Sequence, residues 1–419
     1  MKSKKIYPLF LKLVENKGNN SSDEFRTIIS FDDITKRDSF ISENKNLEIL
    51  NKFDLIPSIV VKLGKESILK YDKVETIKNI EEDQRLYLSI LDVHQILNLN
   101  EYKRSQISCT GKYIKIGIID DGINRSFPSI SKVSSLNTNQ DMVPQFKDKQ
   151  ITHGTIMASI IGNQLINQHG NFIGIAPDIE IIDLNISNSS QEYYFSSVLE
   201  VLDIINNQKI DIDILLISLT TREPSDGLDI LSSACNMFVG KGFIIVCPVG
   251  NYGPKSHSIG SPSAALKTIS FSSLTKSLTL AKYSGKGPTL DERIKPDFCL
   301  LGDKIKIPLS NQIVIKATGT SVAAAIGAGF ISLIKQFKPK ALSDEIYDLL
   351  KDSCTDMKLD KHSQGHGMPN IVKILKNLNF IQERILPYPY LTEKALKVSI
   401  GFIIILIIIF YFLYFFRVN

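Results

Sequence analysis

The alternation of apolar and polar positions predicts a small α/β unit over residues 25–90. RTIISF at 26–31 has the β-branched and aromatic content of a strand. The stretch from Asp32 to Leu50 opens on a helix-capping acid and continues with apolar residues at helical spacing. LIPSIVVKL at 55–63 reads as a second strand, 64–77 as a short helix, and 77–88 as a closing strand or extended tail. From 105 to 380 the pattern changes. KIGIID, IEIIDLNI, DILLISL, GFIIVCPV and KTISFSS are continuous apolar runs of strand length. Such runs predict strands covered on both faces, hence a mostly parallel sheet between helices at 155–162, 193–206, 228–241 and 321–336. The predicted class is therefore α/β, a three-layer fold preceded by a small α+β unit.

The run 398–416, VSIGFIIILIIIFYFLYFF, carries no charge and no proline. As a helix it spans about 28 Å, close to the thickness of a hydrocarbon core. It is apolar on every face, which predicts a transmembrane helix reached through a linker at 381–397 that contains Pro387 and Pro389. Lys394 and Lys397 precede this run and Arg417 follows it, a bias that favours a cytosolic body. Residues 1–24 form an N-terminal leader segment. Its basic start is followed by an apolar stretch that Pro8 and Lys12 interrupt, so it lacks the form of a secretory signal. The opposite orientation, with the body outside the cell, is the competing arrangement.

Composition narrows the function classes. With 43% hydrophobic and 22% charged residues the chain can build a large core. A net charge of +5, from 49 basic and 44 acidic residues, is too mild for a nucleic-acid partner. Cys109, Cys235, Cys247, Cys299 and Cys354 show no CxxC spacing and are read as reduced thiols.

Four segments place polar residues where a sheet presents its ligands, at carboxyl ends of strands and starts of helices. Asp120 ends KIGIID and is followed by Asp121 and Gly122. A carboxylate there can orient a histidine and stabilise its cation. His153 opens an apolar helix before Gly154 and Thr155. Imidazole can take and return a proton near neutrality. Asn251 follows a strand and Gly250, where its amide can donate to an oxyanion. Ser321 opens a helix of small residues behind Gly319. Each residue alone has an ordinary explanation as a turn, a cap or a surface group.

Together, in this order, they resemble the subtilisin-like serine proteases (subtilases, peptidase family S8). Asp120-Asp121-Gly122 is similar to the family's D-[ST]-G, His153-Gly154-Thr155-Ile156 to H-G-T-H, Val249-Gly250-Asn251 to A-G-N, and Gly319-Thr320-Ser321-Val322-Ala323-Ala324-Ala325 to G-T-S-M-A-x-P. GIAP at 174–177, ILLISL at 214–219, YSGKGPT at 283–289 and KPD at 295–297 resemble further family segments. The resemblance implies a subtilisin-like fold and peptide hydrolysis through an acyl-enzyme. Ser321 would be the nucleophile, His153 the general base, Asp120 its orienting carboxylate and Asn251 an oxyanion donor. Ser218, Leu219, Thr220 and Gly250 would border bound substrate. Residues 25–90 resemble the family's ferredoxin-like propeptide, an inhibitor of its own protease, with self-cleavage expected between Arg85 and Asp92. The resemblance also admits calcium. The loop 163–174 offers oxygen ligands without a dense acidic cluster, so no site is assigned.

Departures from the family pattern carry their own expectations. Asp121 stands where a small hydroxyl residue is usual, and either perturbs the neighbouring carboxylate or faces solvent. Ile156 takes a packing position, and Ala325 replaces a proline that a helix's first turn permits without requiring, so the helix is expected to survive. Thr220 and Thr221 replace glycines that border the pocket for the residue before the scissile bond, which predicts narrow specificity. The leading reading is a membrane-anchored processing protease acting on a peptide or protein. The alternative is a catalytically silent subtilase that binds peptides or regulates.

Overall fold

The computed structural model describes residues 5–16, 24–88, 109–130, 132–135, 146, 150–165, 174–187, 192–371, 373–374 and 378, without the side chains of 85–88. Contacts divide the chain into two units, Met1–Ile374 and Leu375–Asn419, and every described helix and strand belongs to the first. The expected linker 381–397 and apolar run 398–416 lie outside the described residues, as does the part of the expected cleavage region beyond residue 88.

The N-terminal layer comprises α1 (Pro8–Asn16), β1 (Glu24–Phe31), α2 (Ile34–Glu43), β2 (Ile49–Phe53), β3 (Ser58–Gly64), α3 (Lys65–Tyr71) and β4 (Ile77–Glu82). The strands form one sheet in the order β2-β3-β1-β4, antiparallel throughout, with the β-α-β-β-α-β connectivity of a ferredoxin-like unit. Successive residues of β1 face opposite sides, so each face builds its own core. Ile29 joins Ile59, Val61, Phe40 and Ile68 beneath the helices. Ile28 joins Val60, Phe53 and Leu55 in a cluster that continues into the rest of the chain.

Two details differ from the sequence expectation. The helix expected over 32–50 begins behind Asp33, which accepts from Lys36 N, but ends at Glu43. Asn44-Lys45-Asn46 supplies a turn, with Asn44 Nδ2 bonded to Phe40 O at 2.8 Å, and residues 49–53 become strand β2. Residues 5–16 of the expected leader segment also pack on this layer. Ile6 bridges Ile80, and Phe10 and Val14 of α1 are buried against the sheet.

β4 and the strand after it are not continuous. At Asp83 the chain leaves the small sheet, and β5 (Arg85–Leu88) enters another. The larger part of the chain then runs β6 (Lys115–Asp120), β7 (Val133–Ser135), α4 (His153–Gly162), β8 (Glu180–Asn185), β9 (Tyr193–Tyr194), α5 (Phe195–Gln208), β10 (Ile214–Ile217), β11 (Leu219–Thr220), α6 (Ile230–Gly240), β12 (Ile244–Pro248), β13 (Ile269–Leu274), β14 (Phe298–Leu301), β15 (Ile305–Pro308), β16 (Val314–Ala317), α7 (Thr320–Phe337), α8 (Ser343–Ser353) and α9 (Lys361–Gln364). Seven strands form a parallel sheet in the order β14-β13-β12-β10-β6-β8-β7. The five apolar runs picked out in the sequence supply β6, β8, β10, β12 and β13. The order reverses around β6, whose neighbours are β8 and β10. At such a switch point the following loops part to opposite sides and leave a crevice at the strand's carboxyl end. Asp120 is the last residue of β6.

α7 is the central helix. Among the described residues it is the one helix long and apolar enough to cross a membrane, and 89% of it is buried inside the protein. That is the property of a core helix. Its small residues permit close packing: a Cβ on Gly327 would lie 2.4 Å from the Phe271 ring.

The N-terminal layer docks on α5 and α6 through more than apolar contact. Glu81 accepts from Ile230 N at 2.9 Å, at the start of α6. Asp83 accepts from Ser196 N at 2.8 Å and Ser196 Oγ at 2.7 Å, at the start of α5, and pairs with Arg26. These carboxyls meet N–H groups that a helix leaves unpaired. Burial, and next the charge of Asp229, push Glu81 up to about 8. β5 itself lies between β11 and β9 in an antiparallel three-stranded sheet, with Leu88 opposite Leu219 and Tyr87 opposite Thr220.

Candidate active site

The crevice beside β6 gathers residues from four distant segments. Asp120 is fully buried. His153 is the first residue of α4, whose N-cap Thr152 accepts from Thr155 N. Its Nδ1 lies 2.8 and 2.6 Å from the two carboxylate oxygens of Asp120, and its Nε2 lies 3.0 Å from Ser321 Oγ. An ionised carboxylate can only accept, so the neutral ring carries its proton on Nδ1. Nε2 is left with a lone pair facing the serine. Gly154 makes this approach possible, since a Cβ there would lie 2.6 Å from Gly122 O and 3.2 Å from Asp120 Cβ.

Asp120 has further donors. Asp121 N donates to it at 2.7 Å, and the Ser218 hydroxyl forms a short bond to it. Burial alone would raise its pKa. The His153 charge and hydrogen bond, then Ser218 and Asp121 N–H, outweigh burial and hold it below the usual range. For His153, burial opposes the cation, and the charges of Asp120 and Asp121 override it, so its pKa is raised.

Ser321 is the second residue of α7 and is buried. Asn251 follows β12. Its Oδ1 accepts from Thr320 N at 2.9 Å and from Thr320 Oγ1 at 3.0 Å, which turns Nδ2 the other way. Nδ2 is buried with no partner among the described residues. A buried amide donor left open is costly unless a ligand completes it. Gly250 lies in the same wall, with its N–H donating to Thr320 Oγ1 at 3.2 Å.

The residues expected to border substrate separate into two kinds. The Ser218 hydroxyl bonds to Asp120 and to Ile119 O, so its side chain supports the carboxylate. The Leu219 side chain lies in the large core, and what it presents to β5 is backbone pairing. Thr220 pairs with Tyr87 and is buried.

Asp121 does not simply face solvent. Its carboxylate accepts from His153 N at 3.0 Å and Gly154 N at 2.7 Å, closing the N-terminus of α4. Burial and then the Asp120 charge push it up to about 7. Its negative charge supports the His153 cation. The activity of such a base rises as pH passes upward through its pKa. Asp121→Asn removes one stabilising charge, so the acid limb of kcat/KM against pH is expected to move to lower pH. An unmoved limb, or one shifted upward, would contradict this role.

Two supporting residues were not singled out in the sequence. Thr320 stands inside the G-T-S segment, yet nothing in the sequence says that it orients Asn251. Asp183, within the apolar run that forms β8, accepts from Ile123 N at 3.1 Å just past Asp120. Burial, its largest influence, pushes it up to about 7. An acid inside an otherwise apolar strand was the available signal. Among the described residues no group of three or more His, Cys, Asp or Glu could hold a metal ion. Of the loop 163–174, residues 166–173 lie outside the described residues. The arrangement can deprotonate a serine hydroxyl at a carbonyl and receive the resulting oxyanion.

Residues 111–367, well over half of the chain, match the subtilase family. Serine protease AprX of Bacillus subtilis (strain 168) is 26% identical over 298 residues, covering 64% of this chain and 66% of its own length. The match thus spans about two thirds of that relative. Among solved structures, fervidolysin from Fervidobacterium pennivorans superposes with a TM-score of 0.65 at 16% identity, covering 86% of this chain and 62% of its own. The epidermin leader peptide processing serine protease from Staphylococcus aureus gives 0.64 at 16% identity, covering 85% and 99%. Both likenesses concern the fold, a subtilisin-like α/β architecture around a large parallel sheet.

Proposed function

The chain belongs to the subtilase family, and from that premise we propose that it is a membrane-anchored serine endopeptidase that processes a narrow set of peptides. The observation that supports the chemistry most strongly is the position of His153, bonded to Asp120 through Nδ1 and 3.0 Å from Ser321 Oγ through Nε2. In the proposed reaction Ser321 Oγ attacks the scissile carbonyl while its proton passes to Nε2. The carbonyl oxygen becomes an oxyanion that Asn251 Nδ2 and the Ser321 N–H receive. Collapse breaks the C–N bond, and the imidazolium gives its proton to the leaving amine. Water, deprotonated by the same imidazole, then releases the acyl group and restores the serine.

Residues 25–90 act, in this reading, as an inhibitory propeptide. The pairing of β5 with β11 and β9 supports that role, because it lays an extended segment along the groove as a substrate would lie. The run 398–416 anchors the chain, with the catalytic body on the cytosolic side, as the flanking lysines suggest. Thr220 and Thr221 support narrow specificity, and a leader-bearing peptide near the membrane is the proposed substrate class. N-terminal sequencing of the mature chain tests the reading. A new terminus between Arg85 and Asp92 is expected. A chain that stays whole and hydrolyses no peptide would instead favour a silent, peptide-binding subtilase.

A further inference from the structure

β11 forms one edge of the groove that β5 occupies, and Thr220 is its second residue. A peptide whose carbonyl meets Ser321 Oγ, with its oxygen toward Asn251, must run along this edge. The side chain beside that carbonyl then enters the gap between β11 and residues 249–251. Two glycines wall this gap, Gly250 and Gly260. Thr220 reaches both. A Cβ on Gly250 would lie 3.2 Å from Thr220 Cγ2, and one on Gly260 would lie 2.5 Å from Thr220 Oγ1. The space between the walls is thus filled by one buried, β-branched side chain with little χ1 freedom.

The walls are also tied together. Thr221 N donates to Ser261 O at 2.9 Å, and Ser261 N donates to Thr221 Oγ1 at 2.9 Å. Thr221 Oγ1 donates in turn to Glu223 O at 2.7 Å. The gap therefore cannot widen without breaking this ladder beside Gly260.

We propose that Thr220 closes the pocket for the residue preceding the scissile bond and restricts that position to glycine, alanine and serine. The proposal rests on the serine-protease reading above and names the substrate class of that site. One added methylene in a filled pocket typically changes kcat/KM by about 10- to 200-fold.

The test uses the full-length chain after processing and quenched peptides that differ only at that position. Alanine and serine peptides are expected to exceed leucine and phenylalanine peptides at least about tenfold in kcat/KM. Thr220→Gly is expected to raise the leucine-to-alanine and phenylalanine-to-alanine ratios by about 10- to 100-fold. Thr220→Ala, which keeps a Cβ in the strand, is expected to move both ratios the same way by less, so a poorly folded glycine variant does not hide the effect. Fluorophosphonate labelling of Ser321 separates the two levels. A labelled wild-type enzyme that prefers leucine, phenylalanine or arginine, with ratios unmoved in both variants, overturns the pocket assignment alone. An enzyme that neither labels nor cleaves any peptide overturns the protease reading beneath it, and the pocket assignment with it.

Discussion

Ser321→Ala is expected to lower kcat for peptide hydrolysis by about 10⁶-fold, the size of loss that subtilisin, itself a member of this family, shows without its nucleophile. The expectation follows from the division of labour in the site. In the proposed site the base and the carboxylate activate Ser321 Oγ, and the oxyanion donor receives the carbonyl oxygen that its attack charges. His153 Nε2 is directed at Ser321 Oγ from 3.0 Å, and α7 presents that oxygen from its first turn. Without the hydroxyl no acyl-enzyme forms, and the remaining groups can only bind and polarise a substrate. Residual hydrolysis of that kind is about 10³- to 10⁴-fold over water. Because alanine replaces a serine in a helix of small residues, the fold is expected to survive, and a circular-dichroism melt serves as control. A variant retaining more than about one hundredth of the activity would place the nucleophile elsewhere.

Asp120→Asn is expected to cost about 10⁴-fold in kcat at neutral pH, with little change in KM. An asparagine amide has a similar shape but donates where the carboxylate accepts. Facing Nδ1, it favours the tautomer with the proton on Nε2, so the ring meets Ser321 with a proton in place of a lone pair. Two more donors lose their charged acceptor, the Ser218 hydroxyl and Asp121 N–H. The acid limb is also expected to shift to lower pH, because the Asp120 charge is the chief force holding the His153 pKa up against burial. A loss below about tenfold would mean that Asp120 does not set the imidazole's proton.

The parallel sheet was legible because its strands are buried on both faces, and KIGIID or DILLISL can be little else. The four candidate residues stood out in the sequence because each lies at or just past the end of a strand or at the start of a helix. What stayed hidden depended on contacts between distant segments. The end of α2 at Glu43 is decided by Asn44-Lys45-Asn46 and by room for β2 on the small sheet, while helical spacing alone carries on to residue 50. Residues 5–16 fall within the leader read over 1–24, yet Phe10 packs edge-on to Phe25 at 5.8 Å. Ser218 sits in a stretch that borders the groove, and only the direction of its hydroxyl shows that it serves Asp120. Asp121 was open between two environments, and the nearby N-terminus of α4 decides it by offering two unpaired N–H groups. Sequence pattern reports which face of a strand is buried. It does not report which carboxylate meets which helix end.

The central claim is that four separated polar side chains act together as one acyl-transfer site. Its most direct test is mass-spectrometric mapping of a fluorophosphonate adduct on the purified chain, alongside His153→Ala. The account predicts a single adduct on Ser321 that forms rapidly in the wild type and is lost in the variant. Absence of any adduct in the processed wild type, an adduct on another serine, or equal labelling without His153 would contradict it.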